Sequence, residues 1–253
     1  MYCNKKISFG LCILAFSLIL TGFINTKAST KSNIESTKTN INHIKFNIPK
    51  YNFIGNVVKD ASVVEYKDFR IVQSYYLKSN KQVLTYDQVA KEFKKLPKTL
   101  AGNVKEIQLV DYRNALDKYI EEKFKMKDFR SYAIGVDEKI CFYANNQYTN
   151  RYNKTLFEIL IHESAHNLDV AVSSEERKLS NSTEWYKIVQ KDFKFKNNKL
   201  YAKDYGRYCS AYGLESKSST EDFAEAVVSY VTNKEQFTKE YPNRSKKINE
   251  LLN

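Results

Sequence analysis

Only three histidines occur in the 253 residues, and two of them, His162 and His166, lie four apart in NKTLFEILIHESAHNLDVAV, residues 153–172. At 3.6 residues per helical turn, positions i and i+4 share a face. If the stretch is helical, both imidazoles can address one cation. Glu163 then stands beside the coordination position that the protein leaves open. The order HExxH is the arrangement by which zinc hydrolases hold their metal and activate water, with the glutamate as general base. Two neutral imidazoles, one carboxylate and a water suit zinc. The third histidine, His43, falls in a polar segment and is expected on the surface.

A catalytic zinc needs a third protein ligand. Downstream, STEDFAEAVVSYV carries Glu221 and Glu225, again four apart. Two carboxylates at this spacing on an apolar helix repel each other unless each has a task. One can bind the metal. The other can accept the Nδ1–H of a ligand histidine and fix its tautomer. The spacing does not say which does which.

These residues need a fold to position them. Thr155 and Glu158 stand at capping-box spacing ahead of the histidine helix, whose Leu156, Ile159, Leu160, Leu168 and Val170 are expected inside. Ser218 and Glu221 have the same spacing at the start of a helix expected over 218–233. Further helices are expected over 181–193, around Trp185, and over 242–252, where Pro242 occupies an allowed first position. Upstream, Thr85 and Gln88 open a helix that ends by Pro97, 104–112 has strand character, and 113–126 is expected to be helical. SYAIGVD and KICFYAN flank the turn-forming DEK as two strands of a hairpin. KICFYAN is the edge strand expected to pair with an extended substrate. The expected fold is α+β: a mixed lobe over 51–150, a mainly helical lobe over 151–253, and the metal site between them.

The first 28 residues stand apart. Lys5 and Lys6 precede an apolar run over 7–23, and small residues follow at Thr26 and Ala28. This pattern predicts a secretory signal peptide cleaved near Ala28. Its most apolar part, 11–20, is short for a membrane span of about 20 residues. Residues 29–50, rich in Ser, Thr, Asn and Lys, are expected to form a flexible polar leader. Removing three lysines and no acid from 41 basic and 29 acidic residues leaves a mature charge of +9. The lysines are scattered, which suits a solvated basic surface or attraction to anionic cell-wall polymers. Nucleic acid is not an expected partner, because no binding motif accompanies the charge. Cys3 and Cys12 leave with the signal. Cys141 and Cys209 remain, either as one disulfide or as separate buried thiols, and neither belongs to a CxxC zinc motif.

HESAHNLD and SAYGLESKSSTEDFAEAV resemble the catalytic domain of the anthrax lethal factor group, and especially its small secreted relatives, the Pro-Pro endopeptidases of Gram-positive bacteria. The resemblance covers about residues 150–235 with specific motifs and the preceding lobe only loosely. It implies a zincin-like fold of the gluzincin type, a zinc cofactor, and His162, His166 and Glu221 as ligands. It further implies Glu163 as base, Glu225 as the carboxylate behind a ligand histidine, and Tyr212 as the hydroxyl that stabilises the oxyanion. The loop from Tyr212 to Glu221 is slightly longer than in lethal factor, so Tyr208 and Tyr205 stand as alternates. The implied activity is a secreted, monomeric zinc endopeptidase acting on extracellular or cell-surface proteins, with Pro-Pro bonds as one specificity within the family. Two other functions fit the same residues: a toxin-like protease acting on host proteins, and a non-catalytic, zinc-stabilised cell-surface binding protein. A purely structural zinc would not need Glu163.

Overall fold

A computed structural model describes residues 44–53, 56–74, 84–110, 117, 121–122, 131–143, 154–173, 178–192, 195–196, 199–200, 209–210, 216 and 218–253. The architecture is α+β. Strands β1 (Ile44–Phe53), β2 (Asn56–Glu65), β3 (Arg70–Ser74), β4 (Glu106–Val110), β5 (Ala133–Val136) and β6 (Lys139–Tyr143) form one mixed sheet in the order β1-β2-β3-β4-β6-β5. The first three run antiparallel, β3, β4 and β6 run parallel, and β5 returns antiparallel along β6. A two-stranded ribbon pairs β7 (Phe195–Lys196) with β8 (Lys199–Leu200).

The parallel strands are buried on both faces, with Gln73, Glu106 and Gln108 as buried polar residues among apolar ones. Ile71, Ile107, Leu109, Ile140 and Phe142 join the core beneath the helices, while Val72, Val110, Cys141 and Tyr143 alternate with them in a second cluster with Ala61 and Val63. This is the period-two geometry of a strand buried on both sides. A parallel pair cannot close through a tight turn. Helices α1 (Tyr86–Phe93) and α2 (Lys98–Gly102) fill the crossover from β3 to β4. Thr85 caps α1 in both directions of the box with Gln88, and Pro97 opens α2 rather than only closing α1.

Among the described residues, four α-helices follow the long α3 (Leu156–Ala171): α4 (Thr183–Lys191), α5 (Ser219–Thr232), α6 (Lys234–Glu240) and α7 (Pro242–Leu252). Helix α3 packs against β5 and β6 of the sheet and against helices α1, α2 and α5. A single core cluster contains Ile71 and Phe142 of the sheet, Leu160 and Leu168 of α3, Trp185 of α4, Phe223 of α5 and Ile248 of α7. The mixed and helical segments therefore share one core. No helix among the described residues is long and apolar enough to cross a membrane.

Four sequence expectations change. Residues 44–50, expected within the polar leader, lie in β1. There Ile44, Phe46 and Ile48 alternate with polar residues inside a Ser/Thr/Asn/Lys-biased segment. Pro49 is tolerated because β1 lies at the sheet edge. KICFYAN is not an edge strand, since β6 lies between β4 and β5, and the edge at this end is β5. Val170 is 57% exposed, on the outer face of α3 near its C-terminus, rather than buried. Cys141 and Cys209 are free thiols, so the disulfide alternative is set aside. The expected signal peptide, His43 and most of the helix expected over 113–126 lie outside the described residues.

Candidate metal centre

Helix α3 begins with both halves of its capping box. Glu158 N–H donates to Thr155 Oγ1 at 3.2 Å, and Thr155 N–H donates to Glu158 Oε2 at 2.7 Å. The box sets the helix register and hence the direction of the two histidines. Their rings meet edge to face, at 87°, with centroids 4.8 Å apart. Helix α5 starts at Ser218, whose hydroxyl accepts Glu221 N–H at 3.3 Å. The Glu221 carboxylate, which a capping box would fold back onto Ser218, instead crosses to α3.

There three ligand atoms converge. His162 Nε2 lies 3.0 Å from Glu221 Oε2, His166 Nε2 lies 3.1 Å from His162 Nε2, and His166 Nε2 lies 3.6 Å from Glu221 Oε2. Tetrahedral zinc with bonds of about 2.0–2.1 Å places its ligand atoms about 3.3 Å apart. The observed edges of 3.0, 3.1 and 3.6 Å bracket that value. His162 and Glu221 are buried, and the His166 side chain is 11% exposed.

The tautomer of His162 follows from its other nitrogen. His162 Nδ1 stands 2.7 Å from Glu225 Oε1. An ionised carboxylate only accepts, so Nδ1 keeps its hydrogen, and Nε2 is the nitrogen whose lone pair faces the convergence point once a metal displaces its proton. The two glutamates left interchangeable by spacing thus divide: Glu221 faces the Nε2 atoms, and Glu225 backs His162. Two imidazole nitrogens and a carboxylate oxygen at these separations repel unless positive charge lies between them. The electrostatics favour such a charge. Burial by itself would lower the His162 pKa, but its hydrogen bonds to Glu221 and Glu225 hold it up at about 10. Burial opposes ionisation of both glutamates. The histidines nevertheless keep Glu221 well below the usual carboxylate range, and His162 together with Lys154 takes Glu225 down to about 2. The donor set, its spacing and its sign all fit a zinc ion.

Glu163 is buried on α3 next to His162. Its backbone touches the sheet edge, because a Cβ added at Gly135 of β5 would lie 2.1 Å from the Glu163 carbonyl oxygen. Only glycine lets the strand approach the helix this closely. The hairpin turn is fastened as well. Asp137 and Glu138 take φ values of 52° and 57°, the left-handed pair of a tight two-residue hairpin loop. Asn167 accepts Glu138 N–H at 3.1 Å and donates to the Lys139 carbonyl at 3.1 Å. The residue after the second histidine therefore holds the hairpin against α3.

Further polar contacts support α5 from behind. Asp169 accepts Ser180 N–H and Oγ–H at 2.7 and 2.6 Å, and Ser180 Oγ lies 3.3 Å from Thr220 Oγ1, one residue before Glu221. Arg244 is fully buried between Asp222 and Asp192, with Nη1 3.1 Å from Asp222 and Nε 3.4 Å from Asp192. Asp192 also accepts the N–H groups of Asn243 and Arg244 and so caps α7 from a distance. Sequence reasoning identified none of Lys154, Asn167, Asp169 or Arg244. Each is a common polar residue whose partner is distant in sequence, so no local spacing marks it.

The structure brings together His162, His166, Glu221 and Glu225, with Glu163 adjacent. Tyr212, Tyr208 and Tyr205 lie outside the described residues. Compared with known protein families and with curated proteins, the chain matches none.

Proposed function

We propose that this chain is a secreted zinc-dependent endopeptidase with a zincin-like fold. The observation that carries the proposal is the triangle of His162 Nε2, His166 Nε2 and Glu221 Oε2, with edges of 3.0–3.6 Å, beside which α3 places Glu163 next to His162. A zinc ion there would polarise the scissile carbonyl and make an attacking water more acidic. Glu163 takes the proton from that water and delivers it to the leaving amine. Glu225 keeps His162 in the tautomer that can ligate. Strand β5, the sheet edge against α3 among the described residues, is the strand to which an extended peptide would add, in place of the β6 segment first expected. Tyr212, assigned by resemblance, supplies a hydroxyl to the developing oxyanion. The resemblance also supports substrates in extracellular or cell-surface proteins, with Pro-Pro bonds as the first specificity to assay.

Glu163→Ala separates an enzyme from a zinc-stabilised binding protein. The variant is expected to keep its zinc and its melting temperature while peptide cleavage falls by at least about 10²–10⁴. Cleavage at the wild-type rate would overturn the assignment of Glu163. Full zinc occupancy in both His162→Ala and His166→Ala would overturn the site.

A further inference from the structure

The Lys154 ammonium and the His162 Nδ1–H meet at the same atom, Oε1 of Glu225. The three side chains are 18%, 8% and 7% exposed, so their charges are only weakly screened by solvent. Lys154 immediately precedes Thr155, the N-cap of α3, which fixes its backbone relative to the histidines. Glu225 comes from the middle of α5, so the contact also crosses between the two helices that carry the triad.

We propose that Lys154 sets the charge of this metal triad: by holding Oε1 of Glu225 it limits the negative charge that this carboxylate lends to His162, so a bound dication stays electron-poor and is held less tightly. The inference rests on the metal site described above. A carboxylate that accepts an imidazole N–H makes the opposite ring nitrogen a better donor to metal. A cation on the same oxygen withdraws that density. It also repels a dication directly along the chain Lys154–Glu225–His162. The fixed ammonium makes Lys154 a positioning residue that acts through Glu225 and does not touch the metal itself.

The sign of its effect separates this role from simple bracing. Were Lys154 only a brace for Glu225, its removal would loosen His162 and weaken metal binding. If it withdraws charge, removal strengthens binding. The test measures Zn²⁺ affinity of the metal-stripped chain at pH 7 by competition with a chelating dye. Lys154→Met, which keeps the stem and removes the charge, is expected to bind Zn²⁺ about tenfold more tightly. Lys154→Arg, which keeps the charge, is expected to stay within about threefold of wild type. Glu225→Gln is expected to bind about 10–100-fold more weakly. Unchanged or weaker binding by Lys154→Met would overturn the proposal. If Lys154→Met does not fold, Lys154→Gln is read in the same way, and failure of both to fold would assign a purely structural role and overturn it. Absence of Zn²⁺ binding by the wild-type chain would instead overturn the metal site on which the inference rests.

Discussion

Gly135 is where the candidate site is most sensitive to a single methyl group. A Cβ there would lie 2.1 Å from the Glu163 carbonyl oxygen, 2.8 Å from its carbonyl carbon and 3.0 Å from its Cα. All three are backbone atoms in the interior of α3, so no rotamer change relieves the overlap. Ordinary contact lies near 3.5 Å, and Gly135→Ala must therefore push β5 from α3 by about 1 Å. Forced overpacking of this kind costs about 1–3 kcal/mol of stability. A misplacement of about 1 Å can cost about 10²-fold in turnover when the displaced element positions substrate. Zinc content should not change, because the triad resides on α3 and α5. Three measurements test this: urea unfolding, metal analysis, and cleavage of a quenched peptide. Gly102→Ala is the control, since its Cβ meets nothing within 4 Å, and it should be neutral or stabilising by up to about 1 kcal/mol. Gly135→Ala with wild-type stability and turnover would refute the close packing of strand on helix and the role given to β5.

Metal analysis of Glu221→Ala and Glu225→Ala should find severe zinc loss in the first and about 10–100-fold weaker binding in the second, and the reverse order would exchange their roles. Arg244→Met leaves Asp192 and Asp222 buried without their shared cation, which should destabilise the fold by about 3–5 kcal/mol at neutral pH in urea unfolding; a loss below 1 kcal/mol would contradict the buried pairing. The metal-stripped protein should have a stability plateau in its melting-temperature profile between pH 4.5 and 6.5. The raised pKa of His162, about 10 against an ordinary 6.5, contributes stability below pH 6.5 that is lost as pH rises towards 10. The lowered pKa of Glu225, about 2 against 4.5, contributes stability above pH 4.5 that is lost as pH falls towards 2. Added zinc should raise the melting temperature more at pH 8 than at pH 6, because at higher pH less work is needed to displace the His162 proton, and an equal rise at both would count against that proton.

The features legible in the sequence were those that local geometry dictates. The i, i+4 spacing of His162 and His166 puts them on one helical face whatever the rest of the chain does. The Thr155 and Glu158 box, the Thr85 and Gln88 box and the Ser218 cap involve partners within three residues. The β5–β6 hairpin was visible because its strands are separated by a two-residue turn. The Glu221 and Glu225 pair was visible as a pair for the same reason as the histidines.

What the chain does across long separations was decided only by the tertiary structure. The hydrophobic pattern of KICFY is the same whether the strand lies at an edge or between two neighbours, and parallel pairing with β4 makes it internal. Which glutamate faces the Nε2 atoms depends on how α5 lies across α3, a packing property that no spacing within either helix contains. Lys154, Asn167 and Arg244 act through partners 71, 28 and 22 residues away, at Glu225, Lys139 and Asp222. Helical periodicity and capping are short-range and written residue by residue, whereas the charge balance of the triad depends on side chains that meet only after the core has brought α3, α5 and the sheet edge together.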